Sequence, residues 1–310
     1  MTAITFRPIY MERIWGGRQL QERYARTLPT PDVPFGEAWE IVDREDEQSI
    51  VDSGEFSGKS LHDLWTNHRA EIFGEELPDS PRFPILIKIL DCADDLSIQV
   101  HPPANIAVEL GGEPKTEMWY VADRKPGAKL YVGLKNLADK ASFESAIAAG
   151  TVADQVHAIT PEKGQSIFIE SGRLHAIGAG FLIHEIQQNS DTTYRVFDWN
   201  RTDTQGNPRQ LHIAESLACI DFDDHEPEMD IVDGETLATC PYFETTIHHL
   251  SPGEEIGNPN PERFSLITVV SGCLEDRHTS GETLLLPKSS PSIPATEKSC
   301  ILRITIPPQA

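Results

Sequence analysis

Three residues with metal-binding side chains lie at the ends or turns of predicted strands. His101 ends a strand, Glu117 begins one, and His175 lies in a strand–turn–strand segment. Catalytic zinc is typically bound by three nitrogen, sulfur or carboxylate ligands and keeps a fourth position open. Spacings of 16 and 58 residues are too long for one helix face, but they suit a β-barrel, where inward-facing residues of neighbouring strands converge. The three residues therefore indicate a candidate zinc site.

A glutamine belongs with this candidate site. Gln99 lies two residues before His101, so on a strand both side chains point to the same face. Its amide oxygen would be a fourth ligand. The competing interpretation is that these are unrelated residues, because the chain has eleven histidines and a single histidine is more often a surface or core residue than a ligand. Spacing alone does not decide between the two interpretations.

Composition limits the classes of function. The 310 residues are 39% hydrophobic and carry a formal charge of -23, which argues against nucleic acid as a partner because phosphate backbones require clustered Lys and Arg. No apolar run reaches the roughly 18 residues of a membrane helix, and the first residues lack the order of a secretory signal. We therefore expect a cytoplasmic protein without a membrane partner. The cysteines are odd in number and scattered along the chain, so they predict neither disulfides nor a cysteine-rich zinc site. They are Cys92, Cys219, Cys240, Cys273 and Cys300.

Strand signals dominate the part of the chain that carries the candidate ligands. Apolar, β-branched runs bounded by Gly and Pro predict strands. The runs are FPILIKILD (83–91), LSIQVHP (96–102), EMWYVAD (117–123), KLYVGL (129–134), two or three strands within 165–188, and TYRVFDW (193–199).

Helical signals are fewer, and a second group of strands follows them. Helices are predicted over 60–76, 138–151 and 211–222 from their caps and apolar spacing. An acidic stretch then precedes further short strands separated by Gly and Pro. The pattern predicts a mainly β fold with a few helices, divided into a metal-binding domain (1–225) and a smaller C-terminal β-unit (226–310).

Four blocks of sequence resemble the motifs of a known enzyme family. LSIQVHP, EPKTEMWYV, SGRLHAIGAG and EIQQNSDTTYRVFDWNR are similar to motifs of the type I phosphomannose isomerases, in particular the short bacterial form, which belong to the cupin superfamily. The resemblance implies a cupin-type (jelly-roll) β-barrel with a C-terminal β-sandwich or cupin-like domain. It implies one Zn2+ per chain, held by Gln99, His101, Glu117 and His175.

The same resemblance implies an activity and its residues. The expected reaction interconverts mannose-6-phosphate and fructose-6-phosphate by proton transfer through a cis-enediolate. The implied catalytic residues are Arg195, Lys115, Glu185 and Asp191. Ser97 matches a position associated with the substrate phosphate, and Lys115 and Arg195 are also expected to bind substrate. An acidic protein would need a local positive pocket for this ligand, built from zinc, Lys115, Arg195 and either Arg173 or Arg201.

Several assignments stay open at this point. A zinc ion near Lys115 should lower the pKa of its ammonium group, yet Glu185 and Asp191 compete with it for the role of base. Each has a structural alternative: Lys115 as an exposed turn residue, Glu185 in a salt bridge with Arg173 or Arg195, and Asp191 as a turn cap. Alternative functions are a non-catalytic metal cupin that binds or senses a sugar phosphate and an iron-dependent cupin oxygenase.

Overall fold

The computed structural model describes residues 1–202 and 206–308, and β-strands are its main element. The α-helices of these residues are α1 (Gln19–Tyr24), α2 (Leu61–Asn67), α3 (Arg69–Ile72), α4 (Lys140–Ala149) and α5 (Ile213–Cys219), with a 3-10 turn at Val152–Gln155. The strands of the first half are β1 (Ile4–Thr5), β2 (Ile9–Gly17), β3 (Phe35–Ile41), β4 (Ile85–Cys92), β5 (Ile98–Val100), β6 (Glu117–Arg124) and β7 (Leu130–Leu134). They are followed by β8 (Val156–Ile159), β9 (Ser166–Ile169), β10 (His175–Ile177), β11 (Phe181–Gln188) and β12 (Tyr194–Phe197). The last strands are β13 (Thr236–Thr239), β14 (Glu244–Leu250), β15 (Glu255–Ile256), β16 (Ser265–Ser271), β17 (Cys273–Leu274), β18 (His278–Thr279), β19 (Thr283–Leu286), β20 (Ile293–Pro294) and β21 (Ser299–Thr305).

The chain divides into two compact units. The first combines Met1–Glu12 and Arg18–Ile89 with the described residues from Ile231 onward, and the second combines Arg13–Gly17 with the described part of Leu90–Asp230. This grouping differs from the sequence-based domains 1–225 and 226–310, because N-terminal residues share a unit with the C-terminal strands. The domain assignment itself stays a prediction.

The first unit is built on a six-stranded antiparallel sheet in the order β1-β19-β16-β21-β14-β13. Aliphatic side chains cover one face of this sheet. Ile267 and Val269, two residues apart on β16, and Ile301 on β21 are fully buried. β1 joins the edge of this sheet by pairing Ile4 with Leu285. The C-terminal strands that the sequence predicted are thus present, and they form a sheet with residues from the other end of the chain.

The second unit contains two sets of paired strands. One sheet has the order β12-β5-β10-β7-β8, and in the other set β6 lies between β11 and β9. Buried aromatic and aliphatic side chains such as Trp119, Leu130 and Phe181 form its core. The prediction of a mainly β fold with a few helices is confirmed. In the residues that the structure describes, these strands form separate sheets, as in a double-sheet jelly roll, rather than one closed cylinder.

The predicted helices are present with changed bounds. α4 begins after Asp139, whose side chain accepts a hydrogen bond from the Ser142 backbone amide while the Ser142 hydroxyl accepts one from the Asp139 amide. Gly150 ends this helix in the left-handed conformation (φ 70°), as expected of a C-terminal glycine. The helix predicted over 60–76 is two short helices separated at His68. None of the helices in the described part of the chain has the length and apolar character to cross a membrane.

Candidate active site

A row of three residues crosses the sheet of the second unit. In the antiparallel register, Gln99 on β5 lies opposite His175 on β10 and opposite Arg195 on β12. Residues directly opposite each other in neighbouring strands project from the same face. The register therefore brings together residues that are far apart in the sequence: the predicted metal ligands Gln99 and His175 and the predicted active-site residue Arg195.

The two histidines are held in one tautomer each. His101 follows β5 and places Nδ1 2.8 Å from the carbonyl oxygen of Thr192, while His175 Nδ1 lies 2.8 Å from the carbonyl oxygen of Arg173. A carbonyl oxygen can only accept, so each Nδ1 donates its proton and each Nε2 keeps a free lone pair. Bonds of this kind orient the histidine ligands of metal sites.

Glu117 completes the cluster from β6, the strand that lies between β9 and β11. Its Oε2 is 3.5 Å from His101 Nε2 and its Oε1 is 3.7 Å from His175 Nε2. The three residues are fully buried, and one ligand atom from each lies within 4.8 Å of the others. This brings together the predicted His101, Glu117 and His175.

The cluster leaves buried polar atoms without hydrogen bonds. In the described structure His101 Nε2 and Glu117 Oε1 lack a hydrogen-bond partner. Buried polar atoms left in this way cost on the order of 1–3 kcal/mol each. A cation held by all three residues would satisfy them, and two imidazoles with one carboxylate form a donor set found in catalytic zinc sites. The residues present therefore fit a zinc ion.

The pKa values of the cluster favour the ligand forms of its members. Burial and the nearby Lys115 ammonium lower the pKa of His101 to about 3. Burial also lowers the pKa of His175. For Glu117, burial alone would raise the pKa, but Lys115 and His101 outweigh it and hold the pKa well below its ordinary value. At neutral pH the imidazoles are neutral and the carboxylate is charged, which are the protonation states that bind metals.

Lys115 lies in the buried interior next to the cluster rather than on an exposed turn. Its Nζ is 2.9 Å from Glu117 Oε2 and 3.9 Å from Glu185 Oε1, so it forms an ion pair with each carboxylate. Burial alone would lower the pKa of Lys115. The negative charges of Glu117 and Glu185 outweigh this effect, and Asp191 adds a smaller contribution, so the pKa is raised. The sequence analysis expected a nearby zinc ion to lower the pKa of Lys115, and that expectation applies to the protein with the metal bound.

Glu185 and Asp191 differ in their surroundings. Glu185 on β11 is buried and lies opposite Trp119 in the register, and its Oε2 accepts a hydrogen bond of 3.1 Å from Trp119 Nε1. Asp191 is exposed and acts on Lys115 only through its charge. Lys115 and Trp119 are thus partners of Glu185, alongside which the sequence analysis had considered Arg173 or Arg195.

Arg195 is linked to Gln99 through Ser97. Arg195 Nε donates to Ser97 Oγ at 3.2 Å, and Ser97 Oγ donates to Gln99 Oε1 at 3.3 Å. The guanidinium also donates to the carbonyl oxygen of Gln210 at 2.9 Å. Burial lowers the pKa of Arg195, yet an arginine remains protonated in proteins. The predicted phosphate position and the predicted active-site cation are therefore in direct contact.

The sequence analysis missed a carboxylate that organises further arginines. Asp198 accepts a hydrogen bond of 2.6 Å from Arg201 Nη2 and another of 2.6 Å from Arg209 Nε. Both guanidiniums act on the pKa of Arg195, lowering it as like charges do. Arg201 was one of two candidates for the positive pocket. The other, Arg173, is paired instead with Asp224, from Nε to Oδ2 at 2.9 Å.

Comparisons with known proteins agree with these motifs. A family model described as phosphomannose isomerase type I, catalytic domain, matches residues 4–130. The chain is 37% identical over 287 residues to mannose-6-phosphate isomerase ManA of Bacillus subtilis, which covers 89% of this chain and 87% of that protein. It is 41% identical over 207 residues to the mannose-6-phosphate isomerase of Streptococcus mutans, covering 66% and 64%.

The fold is also that of a solved relative. The crystal structure of the mannose 6-phosphate isomerase from Bacillus subtilis matches with a TM-score of 0.87 and 30% sequence identity, over 99% of this chain and 100% of that chain. The match extends along both compact units, including the C-terminal strands, for which the sequence motifs gave little support. Together with the sequence identity it confirms the family expected from the four motif blocks: the chain belongs to the type I phosphomannose isomerases.

Proposed function

We propose that this protein interconverts mannose-6-phosphate and fructose-6-phosphate, that it requires a zinc ion, and that the proton moves through a cis-enediolate. The observation that carries the proposal is the buried cluster of His101, Glu117 and His175 beside Lys115 and Glu185. It combines a metal-binding donor set with a cation and a carboxylate, which is what proton transfer next to a polarised carbonyl needs. The named activities of the relatives support the same reaction.

When bound, zinc would supply Lewis acidity toward the carbonyl and hydroxyl oxygens of the open-chain sugar. The protein residues have separate tasks. Glu185 is a buried carboxylate fixed by Trp119, so it can accept the proton that leaves C1 or C2. Lys115, protonated between two carboxylates, can donate to a substrate oxygen. Arg195 and Ser97, joined at 3.2 Å, can bind the phosphate or the developing negative charge without a change of protonation.

A sugar phosphate needs positive charge at its site in this acidic chain, and we infer that zinc and four basic side chains supply it. Besides Lys115 and Arg195, the positive side chains include Arg201 and Arg209, which Asp198 holds in place through hydrogen bonds. With the zinc ion, this part of the protein would be attractive to a sugar phosphate although the whole chain carries -23. A cytoplasmic location stays a prediction from the sequence.

One assay on one sample tests the proposal. Turnover of mannose-6-phosphate is followed by a coupled assay while the metal content of the same protein is measured, before and after removal with a chelator. We expect zinc at one ion per chain, loss of turnover on its removal, and recovery when zinc is returned. Full activity of metal-free protein would overturn the zinc requirement, and recovery with iron alone would favour the oxygenase-type metal site.

A second measurement separates catalysis from binding. In deuterated solvent the enzyme should introduce deuterium at C2 of mannose-6-phosphate, because the proton is exchanged at an intermediate. Tight binding of the sugar phosphate without deuterium at C2 would indicate a metal cupin that senses the ligand and leaves it unchanged.

A further inference from the structure

The first compact unit contains a cavity of 590 Å³ that the proposed reaction does not use. It is lined by stretches around Tyr10, Arg26 and His278, and all of its lining residues belong to that unit. Cavities of about 300–1,000 Å³ are typical of small-molecule sites. Its lining combines charged groups, hydroxyl groups and tyrosine rings, so we asked what class of ligand would match it.

A buried ion pair forms part of the cavity wall. Arg26 and Glu40 are 10% and 5% exposed, respectively, and join through two hydrogen bonds of 2.6 Å and 3.0 Å. Arg26 Nη2 also donates to the carbonyl oxygen of Gly281 at 2.5 Å. A buried ion pair gains little stability over an apolar pair of the same volume, because both charges lose their hydration. A pair of this kind at a cavity offers a ligand rigidly held donors and acceptors.

His278 adds a polar atom that lacks a partner. The residue lines the cavity and is 6% exposed. Its Nδ1 lies 3.4 Å from Glu282 Oε2, whereas its Nε2 has no hydrogen bond within the described structure. That nitrogen is itself covered by protein atoms, so His278 contributes its ring to the wall of the cavity and no hydrogen bond to a ligand.

The charges of the lining favour a neutral ligand over an anion. Arg7, Arg26 and Arg277 line the cavity together with three carboxylates. Each arginine already has an acidic partner: Asp52 at 3.0 Å, Glu40 at 2.6 Å and Glu275 at 2.6 Å, respectively. A phosphate would have to break such a pair and approach the remaining carboxylates. Hydroxyl groups, in contrast, can donate to the carboxylates and accept from the guanidiniums without disturbing the pairs.

Tyrosine rings supply the apolar part of the lining. Tyr10 and Tyr24 both line the cavity. Tyr24 packs directly on the backbone of Gly281: a Cβ added there would lie 2.6 Å from Tyr24 Cγ, and the residue has a φ of +91°. The glycine therefore lets the ring lie close to the backbone that Arg26 holds. Such amphipathic rings can cover the C–H face of a sugar while polar groups bind its rim.

We propose that this cavity is a second ligand site, separate from the metal cluster, and that it binds a neutral pyranose sugar without a phosphate group. The paired charges provide hydrogen bonds for the ring hydroxyls, and the tyrosines cover a face of the ring. The inference stands whether or not the isomerase activity is confirmed, because no residue of the metal cluster enters it.

Binding of methyl α-D-mannopyranoside and methyl β-D-glucopyranoside to the full chain tests this site by saturation-transfer NMR. Methyl glycosides cannot open and carry no phosphate, so they are poor ligands for the proposed isomerase site. We expect at least one of them to bind. Tyr10→Ala and Tyr24→Ala should each weaken binding at least tenfold, because both rings line the cavity. His249→Leu, at an exposed histidine of the same unit, should change it less than twofold.

Two results would overturn the proposal. One is binding of neither glycoside at tens of millimolar, and the other is binding that stays the same in either Tyr10→Ala or Tyr24→Ala. Near-UV circular dichroism shows whether each variant is folded, and Tyr24, at the end of the short helix α1, gives a readout if Tyr10 cannot be replaced. Displacement of a bound glycoside by inorganic phosphate in the His101→Ala protein would indicate an anion site instead and count against the proposal.

Discussion

Gln99 and His175 lie directly opposite each other in neighbouring antiparallel strands, with Gln99 Nε2 3.4 Å from His175 Nε2. The amide oxygen of Gln99 accepts a hydrogen bond from Ser97, so the atom that would bind a metal is directed away from the cluster. A half-turn of the amide group exchanges its oxygen and nitrogen within the same shape and would direct the oxygen toward His175. Gln99 is therefore placed to be a fourth ligand only after that rotation.

The metal should depend far more on the histidines than on this glutamine. We expect Gln99→Leu to weaken zinc affinity about 10–100-fold, the range found when groups that support a metal site are removed. His101→Ala should leave a site with too few ligands and almost no bound zinc. Competition with a zinc-binding dye measures both affinities. Equal loss in the two variants would make Gln99 a full ligand, and unchanged affinity in Gln99→Leu would exclude it.

Arg195 should act on the substrate and leave the metal in place. It contacts the cluster only through Ser97 and Gln99, so we expect Arg195→Ala to keep one zinc per chain while turnover falls by at least 100-fold. Metal analysis and the coupled assay on one preparation check this, with His101→Ala as the matched variant that loses both. Zinc loss in Arg195→Ala would contradict the assignment.

The two candidate carboxylates should differ in their effect on proton transfer. Glu185 is buried, and Trp119 fixes its carboxylate, whereas Asp191 is exposed. General base catalysis contributes about 10²–10⁴-fold, so Glu185→Gln should lower the rate of deuterium entry at C2 by that factor at unchanged zinc content. Asp191→Asn should lower it less than tenfold. The reverse order would move the base role to Asp191.

The paired arginines should affect substrate affinity. Asp198 holds Arg201 and Arg209, so we expect Asp198→Ala to release both side chains and to raise the KM for mannose-6-phosphate about tenfold with a smaller change in kcat. Asp94→Asn is the control, because Asp94 also contacts Arg201, at 3.1 Å, but is 60% exposed, and such surface pairs contribute little. A fall in kcat at constant KM would show that Asp198 acts on the chemical step.

His248 should make the first unit sensitive to acid. Burial lowers the pKa of this histidine, Arg303 acts in the same direction and Glu235 opposes them. The unfolded state, with a pKa of about 6.5, then binds a proton at pH values where the native state does not, so the free energy of unfolding falls as the pH drops below about 6.5. His248→Gln should flatten this slope in urea unfolding at several pH values, whereas His249→Gln should keep it. An unchanged slope in His248→Gln would remove the residue as its cause.

Local patterns predicted the strands that carry the site. Apolar runs between Gly and Pro are encoded within a few residues; β5 and β12 lie inside the predicted ranges, and β6 extends one residue beyond its range. Residue types and spacing made His101, Glu117 and His175 candidates, and the resemblance of the surrounding motif blocks selected them. The sequence could not show that Thr192 and Arg173 fix the histidine rings, since this task falls to their backbone carbonyls.

Long-range contacts account for most of what was missed. Asp198 lies in a recognisable motif, but its partner Arg209 belongs to no motif, and only the folded chain brings them together. Pairing of β1 with β19 has no local signal either, because two residues are too few for a periodic pattern. The split of the 60–76 helix at His68 likewise reflects packing rather than propensity.

The pairing of Ile4 with Leu285 has a consequence for biosynthesis. A ribosome releases the first strand long before its partner exists, and synthesis proceeds at about 5–20 residues per second. The second unit, whose residues are almost continuous in sequence, is therefore synthesised in full before the last strands of the first unit. The residues of the metal cluster are therefore all synthesised before the partner of the first strand, whereas the backbone contacts of Thr5 and Arg7 with Asp52 and Ile50 can form early.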